Sequence, residues 1–382
     1  MLKRFTVNNF MSFREKTTFD FTATNYHILE KSNTFEGITK GGIFVGANAS
    51  GKSNGILALR LLLDWLFMNK NVDSDINGSF CLFSKNPLCS FEYEFEIDKN
   101  DIVYSIQYNR VSKSLIETLI LNKNELLKRI GNSATSNISE TSVFTDISEK
   151  TLLLREIYFS TRFRNNPILK KWFDFLSNSV FADLYERKFH SYSNDKLLLK
   201  EYLDNNGVGE INEFFKEFNF GQQIEYCKES IGTIVTIQSS EENSVFFKRD
   251  EIGEPIPFII ESLGNQNLLQ LLPFFFSVIK KSGMLIIDEF SSGFHNQLEE
   301  LLLKCFMEIS QNSQFFFVSH STNLLSNRFL RPDQIYTIDF HGKRGSTVNR
   351  VSKFQPREAQ NIEKMYLGGV FNGLPKYSSE CE

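Results

Sequence analysis

Gly46-Ala47-Asn48-Ala49-Ser50-Gly51-Lys52-Ser53 restricts this chain more than any other stretch, because it fits the pattern G-x-x-x-x-G-K-[ST] in the context where that pattern works. Ahead of it, Gly42-Ile43-Phe44-Val45 is an apolar run suited to a buried strand. Behind it, Asn54 to Phe67 carries apolar residues throughout, as a packed helix would. Strand, glycine loop and helix together make a phosphate cradle. Glycines at 46 and 51 let the loop bend and bring its N–H groups close to phosphate oxygens. The helix points its positive end at the same anion. Lys52 can reach the β- and γ-phosphates, and the Ser53 hydroxyl offers Mg²⁺ the oxygen that a hard cation prefers. Gly46, Asn48, Ser50, Gly51, Lys52, Ser53 and Asn54 are the candidate binding residues of the loop. A chance glycine-rich turn is the bland alternative, and the flanking strand and helix weigh against it.

Three later stretches are read with this loop. Glu261-Ser262-Leu263-Gly264-Asn265-Gln266 precedes an apolar helix over Leu268 to Ile279. Taken alone, Ser, Gly and Asn at a helix start are a cap; taken with the loop, the helix start is a second end aimed at phosphate. Met284-Leu285-Ile286-Ile287-Asp288-Glu289 is an apolar strand ending in two acids, the form of a Walker B element. Asp288 would hold the hydration shell of Mg²⁺, and Glu289 would orient or deprotonate the attacking water. Phe315-Phe316-Phe317-Val318 is another buried strand, and His320 follows it on the rim where open α/β sheets bind ligands. Glu289 and His320 are the catalytic candidates, and Ser53 and Asp288 the metal candidates. No glutamine stands out as a further nucleotide contact, since Gln107 lies within a strand pattern.

Composition narrows the rest. At 382 residues and 41% hydrophobic content the chain can build two or three lobes with real cores. A formal net charge of −4 gives no overall basicity for nucleic acid, although an average can hide a patch. The 39 phenylalanines read as core filling. Five cysteines, Cys381 among them, include no C-x-x-C pair, so no zinc or thioredoxin-like site is expected. No signal peptide is visible, and no apolar run approaches the ~18 residues that span a bilayer. The expected place is the cytoplasm, with reduced thiols and no membrane partner.

Along the chain, residues 2–22 alternate like strands, and residues 90–98 and 102–108 form a hairpin followed by a third strand at 117–121. Residues 69–79 look turn-like. Asp73-Ser74-Asp75 imitates half of a calcium loop, but Ser84 stands where a carboxylate should close it, so a solvated turn is expected. Residues 131–150 are rich in Ser, Thr and Asn and read as a mobile connection. From 151 to 220 the spacing predicts helices. Arg155, Arg162, Arg164, Lys170 and Lys171 make this the most basic neighbourhood, a candidate face for nucleic acid, though such clusters are more often solvated helix faces. Strand patterns return at 231–248.

In the order of these stations the sequence resembles ABC-type ATPases of the SMC, Rad50 and RecF kind. The resemblance implies an α/β fold: an ABC-type P-loop ATPase head with an antiparallel β layer and an inserted, mainly helical domain. The head would be split over 1–125 and 255–382, with the insert at 126–254. It implies ATP and Mg²⁺ as cofactors. It also implies a head-to-tail homodimer or higher oligomer, in which Ser262 and Gly264 of one copy close over ATP held by the other; Asn265-Gln266 departs from the commonest form of that signature.

A closer resemblance is to compact bacterial phage-defence ATPases of the overcoming-lysogenisation-defect and abortive-infection type. It rests on Asn9-Phe10-Met11-Ser12-Phe13, on Glu261 to Asn265, on Asp288-Glu289-Phe290-Ser291-Ser292-Gly293-Phe294-His295, and on a tail with Phe354-Gln355-Pro356-Arg357, Tyr366-Leu367-Gly368-Gly369 and Gly373-Leu374-Pro375. The middle third matches only in layout. A zinc-hook coiled coil is not expected from so short an insert without C-x-x-C, nor is a Toprim nuclease in the ~60 residues after His320. The resemblance therefore implies a separately encoded toxin or nuclease effector and a phage-derived trigger. Two rival classes are a RecF-like, ATP-gated DNA clamp and a scaffold that binds ATP without hydrolysing it.

Overall fold

A computed structural model of the chain describes residues 1–138, 140–239 and 242–374; Pro375 of the tail motif and Cys381 lie outside them. Two large sheets organise the molecule. The first has seven strands in the order Lys188–Ser191, Val180–Asp183, Met284–Asp288, Gln314–Val318, Gly41–Gly46, Ile335–Phe340, Ser346–Arg350. Its five inner strands are parallel, and each edge is closed by an antiparallel hairpin partner. Parallel strands are covered on both faces and so need near-continuous apolar sequence. Leu285-Ile286-Ile287 and Phe315-Phe316-Phe317-Val318 meet that need and are fully buried. Because the inner strands share one direction, the phosphate loop, Asp288 and His320 all emerge at the same carboxyl-end rim.

The second sheet is antiparallel, with eight strands in the order Ser142–Phe144, Ser133–Ser136, Asn124–Ile130, Ser114–Leu121, Asn100–Asn109, Leu88–Ile97, Leu2–Asn8, Thr17–Asp20. Leu88–Ile97 shows the period of two: Cys89, Phe91, Tyr93, Phe95 and Ile97 are buried, and the glutamates between them are not. The helix Lys52–Phe67 lies between the sheets, which is why it is apolar almost all round. Trp65 meets Phe91 edge-on at 5.4 Å, and the Tyr93 hydroxyl donates to the Ala58 carbonyl at 2.7 Å. Beside it the sheets touch directly through Phe19–Phe44 at 5.4 Å and Phe21–Phe316 at 4.8 Å. Each such buried ring contributes about 2–3 kcal/mol. This is where much of the phenylalanine resides. The helix Leu263–Lys281 covers the other face of the parallel sheet.

Three local expectations are corrected. Residues 69–79 contain a helix, Val72–Gly78, capped by the Asn71 side chain, which accepts from Ser74 N–H at 3.2 Å. Asp73 accepts from Asn77 and Tyr108, and Asp75 accepts from the Trp65 indole at 3.1 Å. Those carboxylates serve as hydrogen-bond partners in the packing, and no cluster of three or more His, Cys, Asp or Glu suited to a metal exists among the described residues. The connection expected at 131–150 instead adds Ser133–Ser136 and Ser142–Phe144 to the antiparallel sheet. In the helical region, Leu153–Thr161, Pro167–Ser177, Leu199–Asn206 and Gly209–Glu217 are helices, but Val180–Asp183 and Lys188–Ser191 form a hairpin at the edge of the parallel sheet.

Residues 126–254 are thus woven into the head rather than set apart from it: they supply strands to both large sheets. Among its described residues the stretch 199–257 supplies no strand to either large sheet; it holds two helices, the sheet Gln222–Cys227, Ser244–Arg249, Ile252–Pro257, and a small hairpin at Glu229–Ile231 and Thr236–Gln238. Among the described residues no helix is long and apolar enough to cross a membrane.

Candidate nucleotide site

The phosphate loop is braced from behind. Gly51 has φ +104, and a Cβ there would lie 2.3 Å from Ser12 Oγ and 2.7 Å from Ser346 Oγ. Only glycine suits that position. Asn54 Nδ2 donates to Ser12 Oγ at 2.9 Å, Ser346 N–H to the Ser12 carbonyl at 2.7 Å, and Ser346 Oγ to the Ser50 carbonyl at 2.6 Å. The Asn9–Phe13 stretch therefore acts as a buttress: Ser12 holds the loop, Phe10 and Phe13 are buried, and Asn9 donates to the carbonyls of Asn86 and Leu88 at 2.8 Å each. Lys52 folds back onto the carbonyls of Gly46 (3.1 Å) and Ala47 (2.9 Å). Burial lowers its pKa, against the pull of Glu289 and Asp288. A buried ammonium resting on carbonyls has a ready exchange partner in a phosphate.

In front of the loop lies an open cavity of about 640 Å³, lined by Asn48, Ala49, Gly51, Lys52, Ser53, Asn54, Tyr185, Glu289 and His320. Gly46 and Ser50 do not line it. Gly46 cannot carry a Cβ without meeting the Ile338 carbonyl at 2.3 Å, and Ser50 is buried under the loop. These two residues shape the backbone. A smaller hollow behind the loop is walled by Gly46, Ala47, Asn48, His320 and the tail residues Tyr366, Leu367 and Leu374.

Ser53 Oγ donates to Asp288 Oδ1 at 3.1 Å. The Asp288 carboxyl is pushed up to about 6, first by burial and then by the charges of Glu289 and Asp183, with the Ser53 hydrogen bond opposing. A hydroxyl and a carboxylate whose charge is that poorly compensated fit a hydrated divalent cation between them. Ser53 and Asp288 would hold Mg²⁺ here. Glu289 follows in the left-handed region, φ +52, which is uncommon for a branched-free acid and turns its side chain off the strand into the cavity. Its carboxylate lies 3.8 Å from His320 Nε2. Burial and the Lys52 charge lower the His320 pKa, Glu289 opposing, so the imidazole is predominantly neutral near pH 7. His320 N–H is anchored on Ser291 Oγ at 3.2 Å.

The remaining sequence candidates separate. Ser262 is the N-cap of Leu263–Lys281, its Oγ accepting from Asn265 N–H at 3.4 Å, and it is exposed. Glu261, buried beside it, accepts from Arg249 at 2.7 and 2.8 Å and from Ser262 N–H at 2.7 Å. Neither Ser262 nor Gly264 lines the cavity. His295 caps the helix Asn296–Ile309, its Nδ1 accepting from Gln297 N–H. In the basic neighbourhood, Arg155 donates to the Leu66 carbonyl, Arg155 and Arg162 both lie over the Phe159 ring at 4.6 and 4.7 Å, and Lys171 pairs with Asp98. Three of the five cations are thus engaged within the chain. Gln107 is exposed on its strand and does not line the cavity.

At the cavity wall and the cation site, Asp183 and Tyr185 escaped the sequence reading. Asp183 sits directly opposite Asp288 in the parallel register, and Tyr185, 77% exposed, forms part of the cavity wall. The signal was present: Val180-Phe181-Ala182-Asp183 repeats the pattern of an apolar strand ending in an acid.

A sequence profile described as "AAA domain, putative AbiEii toxin, Type IV TA system" matches residues 43–326, more than half of the chain and a span that runs from the phosphate-loop strand past His320. The chain belongs to this family. No curated protein matches its sequence. Among solved structures it is similar to the "SMC head domain from Thermotoga maritima", with TM-score 0.51 and 16% identity over 91% of this chain and 98% of that one. It is also similar to the SMC head in "Crystal structure of the SmcHead bound to the C-winged helix domain of ScpA", with TM-score 0.52 and 16% identity over 91% and 97%. At such identity the likeness is one of fold. The family is that of an AAA domain, for which ATP binding is expected, and the fold is that of an SMC-type ATPase head.

Proposed function

We propose that this chain is a Mg²⁺-dependent ATPase of a phage-defence system in the cytoplasm, which closes head to tail on a second copy and so controls a separately encoded toxin or nuclease effector in response to a phage-derived trigger. One observation carries the paired reading: Lys52, Ser53, Glu289 and His320 share one cavity with Asp288 behind Ser53, whereas Ser262 and Gly264 stand outside it at an exposed helix start. A signature that cannot serve its own chain is free to serve another.

In this reading Lys52 exchanges the Gly46 and Ala47 carbonyls for phosphate oxygens, and the loop N–H groups and helix start hold the rest of the chain of phosphates. Ser53 and Asp288 would hold the cation, which would supply positive charge to the phosphate oxygens. Glu289 holds the attacking water and takes its proton, and His320 donates toward the γ-phosphate. The stretch 199–257, which supplies no strand to either large sheet but packs into the core of the parallel one and leads toward the signature, is the part suited to relay nucleotide state to an effector.

Two measurements test this. Glu289→Gln should lower ATP turnover by about 100-fold or more and accumulate as an ATP-dependent dimer by size exclusion; a variant with unchanged turnover would point to a non-hydrolysing scaffold. Affinity capture of the tagged protein from its host, alongside Lys52→Ala, should recover a stoichiometric toxin-like or nuclease-like neighbour in a nucleotide-dependent way. Recovery of DNA and repair proteins alone would instead favour a DNA clamp.

A further inference from the structure

One buried amide ties the signature helix to the chain's own nucleotide site. Asn267, fully buried near the start of Leu263–Lys281, donates through Nδ2 to the Leu184 carbonyl at 3.1 Å and to the Ser292 carbonyl at 3.3 Å. Leu184 immediately precedes Tyr185 on the cavity wall. Ser292 lies in the turn that follows Asp288, whose neighbours are Glu289 and the Ser291 hydroxyl that anchors His320. A single side chain therefore holds two loops of the ATP site against the helix that presents Ser262.

Two further contacts run between the same parts. Gln266 accepts from Arg187 of the Tyr185 turn at 3.2 Å while donating to the Phe258 and Glu261 carbonyls. Gly264 stands so close to the 292–293 turn that a Cβ on it would lie 2.3 Å from the Gly293 oxygen. Asn267 meanwhile leaves its Oδ1 buried without a partner. A leucine would fill the same volume without burying an unsatisfied oxygen, so what the amide adds is the pair of donated bonds.

We propose that Asn267 is a positioning residue that relays occupancy of a chain's own ATP site to its own signature, and through that signature to the ATP site of the partner copy. The proposal rests on the head-to-tail reading above. Nucleotide contacts at Glu289 and His320 draw on the 289–292 turn, and contacts at Tyr185 draw on the 184–187 turn. Asn267 keeps both bonds only if the helix start moves with them, because packed elements shift between discrete arrangements rather than stretch. Two ATP sites linked in this way bind and hydrolyse cooperatively.

The test uses the full-length protein as wild type, Asn267→Leu and Arg187→Ala, with thermal melts to establish folding. ATP turnover is measured against ATP and against protein concentration, and binding of a fluorescent ATP analogue is measured separately. The wild type should show a Hill coefficient approaching about 2 and a specific activity that rises with protein concentration. Asn267→Leu should fall to about 1, with kcat lower by about fivefold or more and analogue affinity within about twofold. Arg187→Ala should lie between. A folded Asn267→Leu with unchanged Hill coefficient and kcat overturns the proposal; if that variant does not fold, an unchanged Arg187→Ala overturns it. A wild type whose specific activity is flat in protein concentration overturns the paired reading, and the relay with it.

Discussion

Asp288 is where burial and chemistry conflict most openly. Its carboxyl is pushed up to about 6, whereas an unfolded chain would titrate near 3.9. The native state therefore holds the proton more tightly than the unfolded one. The stability this contributes is complete below about pH 4 and is lost as pH rises past about 6. In the absence of a cation the ionised group is a liability at neutral pH. Asp288→Asn should then raise the melting temperature in EDTA at pH 7, and the gain should vanish near pH 4, while turnover is abolished. Mg²⁺ with ATP should stabilise the wild type and do much less for the variant. Equal melting temperatures for the two proteins in EDTA at pH 7 would refute the account. Gly51 offers a second test at this scale. Gly51→Ala meets both a left-handed φ and the hydroxyls of Ser12 and Ser346, so it should cost about 1–3 kcal/mol in urea unfolding and abolish binding of a fluorescent ATP analogue.

At the level of elements, legibility followed burial. Met284–Asp288 and Gln314–Val318 stood out because strands covered on both faces must be continuously apolar, and a polar residue at their ends marks where the sheet meets solvent. Val180–Asp183 obeys the same rule, but four residues between helices give no period of their own, and its pairing with Met284–Asp288 is a contact across more than a hundred residues. Ser133–Ser136 was hidden for another reason: its inward positions are Ala134 and Ser136, which alternate in burial but hardly in hydropathy, and Ser142–Phe144 is a three-residue strand with no buried position. Within the site, the loop, the paired acids and His320 were readable as motifs. The contacts of Ser346 and Asn267 were not, nor was the bracing role of Ser12 within its Asn9–Phe13 motif, since each acts through a backbone group brought close only by the fold. Glu117 shows how strongly such hidden contacts bind elements together. Fully buried, it accepts from Leu153 and Leu154 N–H at 2.8 Å, from Tyr104 at 2.7 Å, and faces Arg129 at 3.9 Å, thereby capping the helix Leu153–Thr161 from a neighbouring strand. Glu117→Ala leaves Arg129 buried without its counter-charge and should destabilise the protein by about 3 kcal/mol in urea unfolding.

For the whole molecule, the separation of Ser262 from the cavity makes a quantitative demand. If each ATP site is built from the P-loop of one copy and the signature of the other, Lys52→Ala spoils a site through its own chain and Ser262→Arg spoils one through its partner's. Each variant alone has both sites of its dimer damaged and should be nearly inactive. Mixed in equal amounts, random exchange makes about half of the dimers heterodimers. In those, both lesions fall on one site, and the other pairs an intact Lys52 with an intact Ser262. Independent sites would then restore about a quarter of wild-type turnover. The Asn267 relay lowers that figure, because the chain that lends the good signature has an empty P-loop of its own and cannot set it. Recovery below a quarter but clearly above either variant alone is therefore the expected outcome, read as ATP turnover of the mixture after subunit exchange. Adding Asn267→Leu to the Lys52→Ala copy should remove that dependence of signature on its own P-loop and change the recovered rate. No recovery after confirmed exchange would mean that the two lesions do not act on a shared pair of sites.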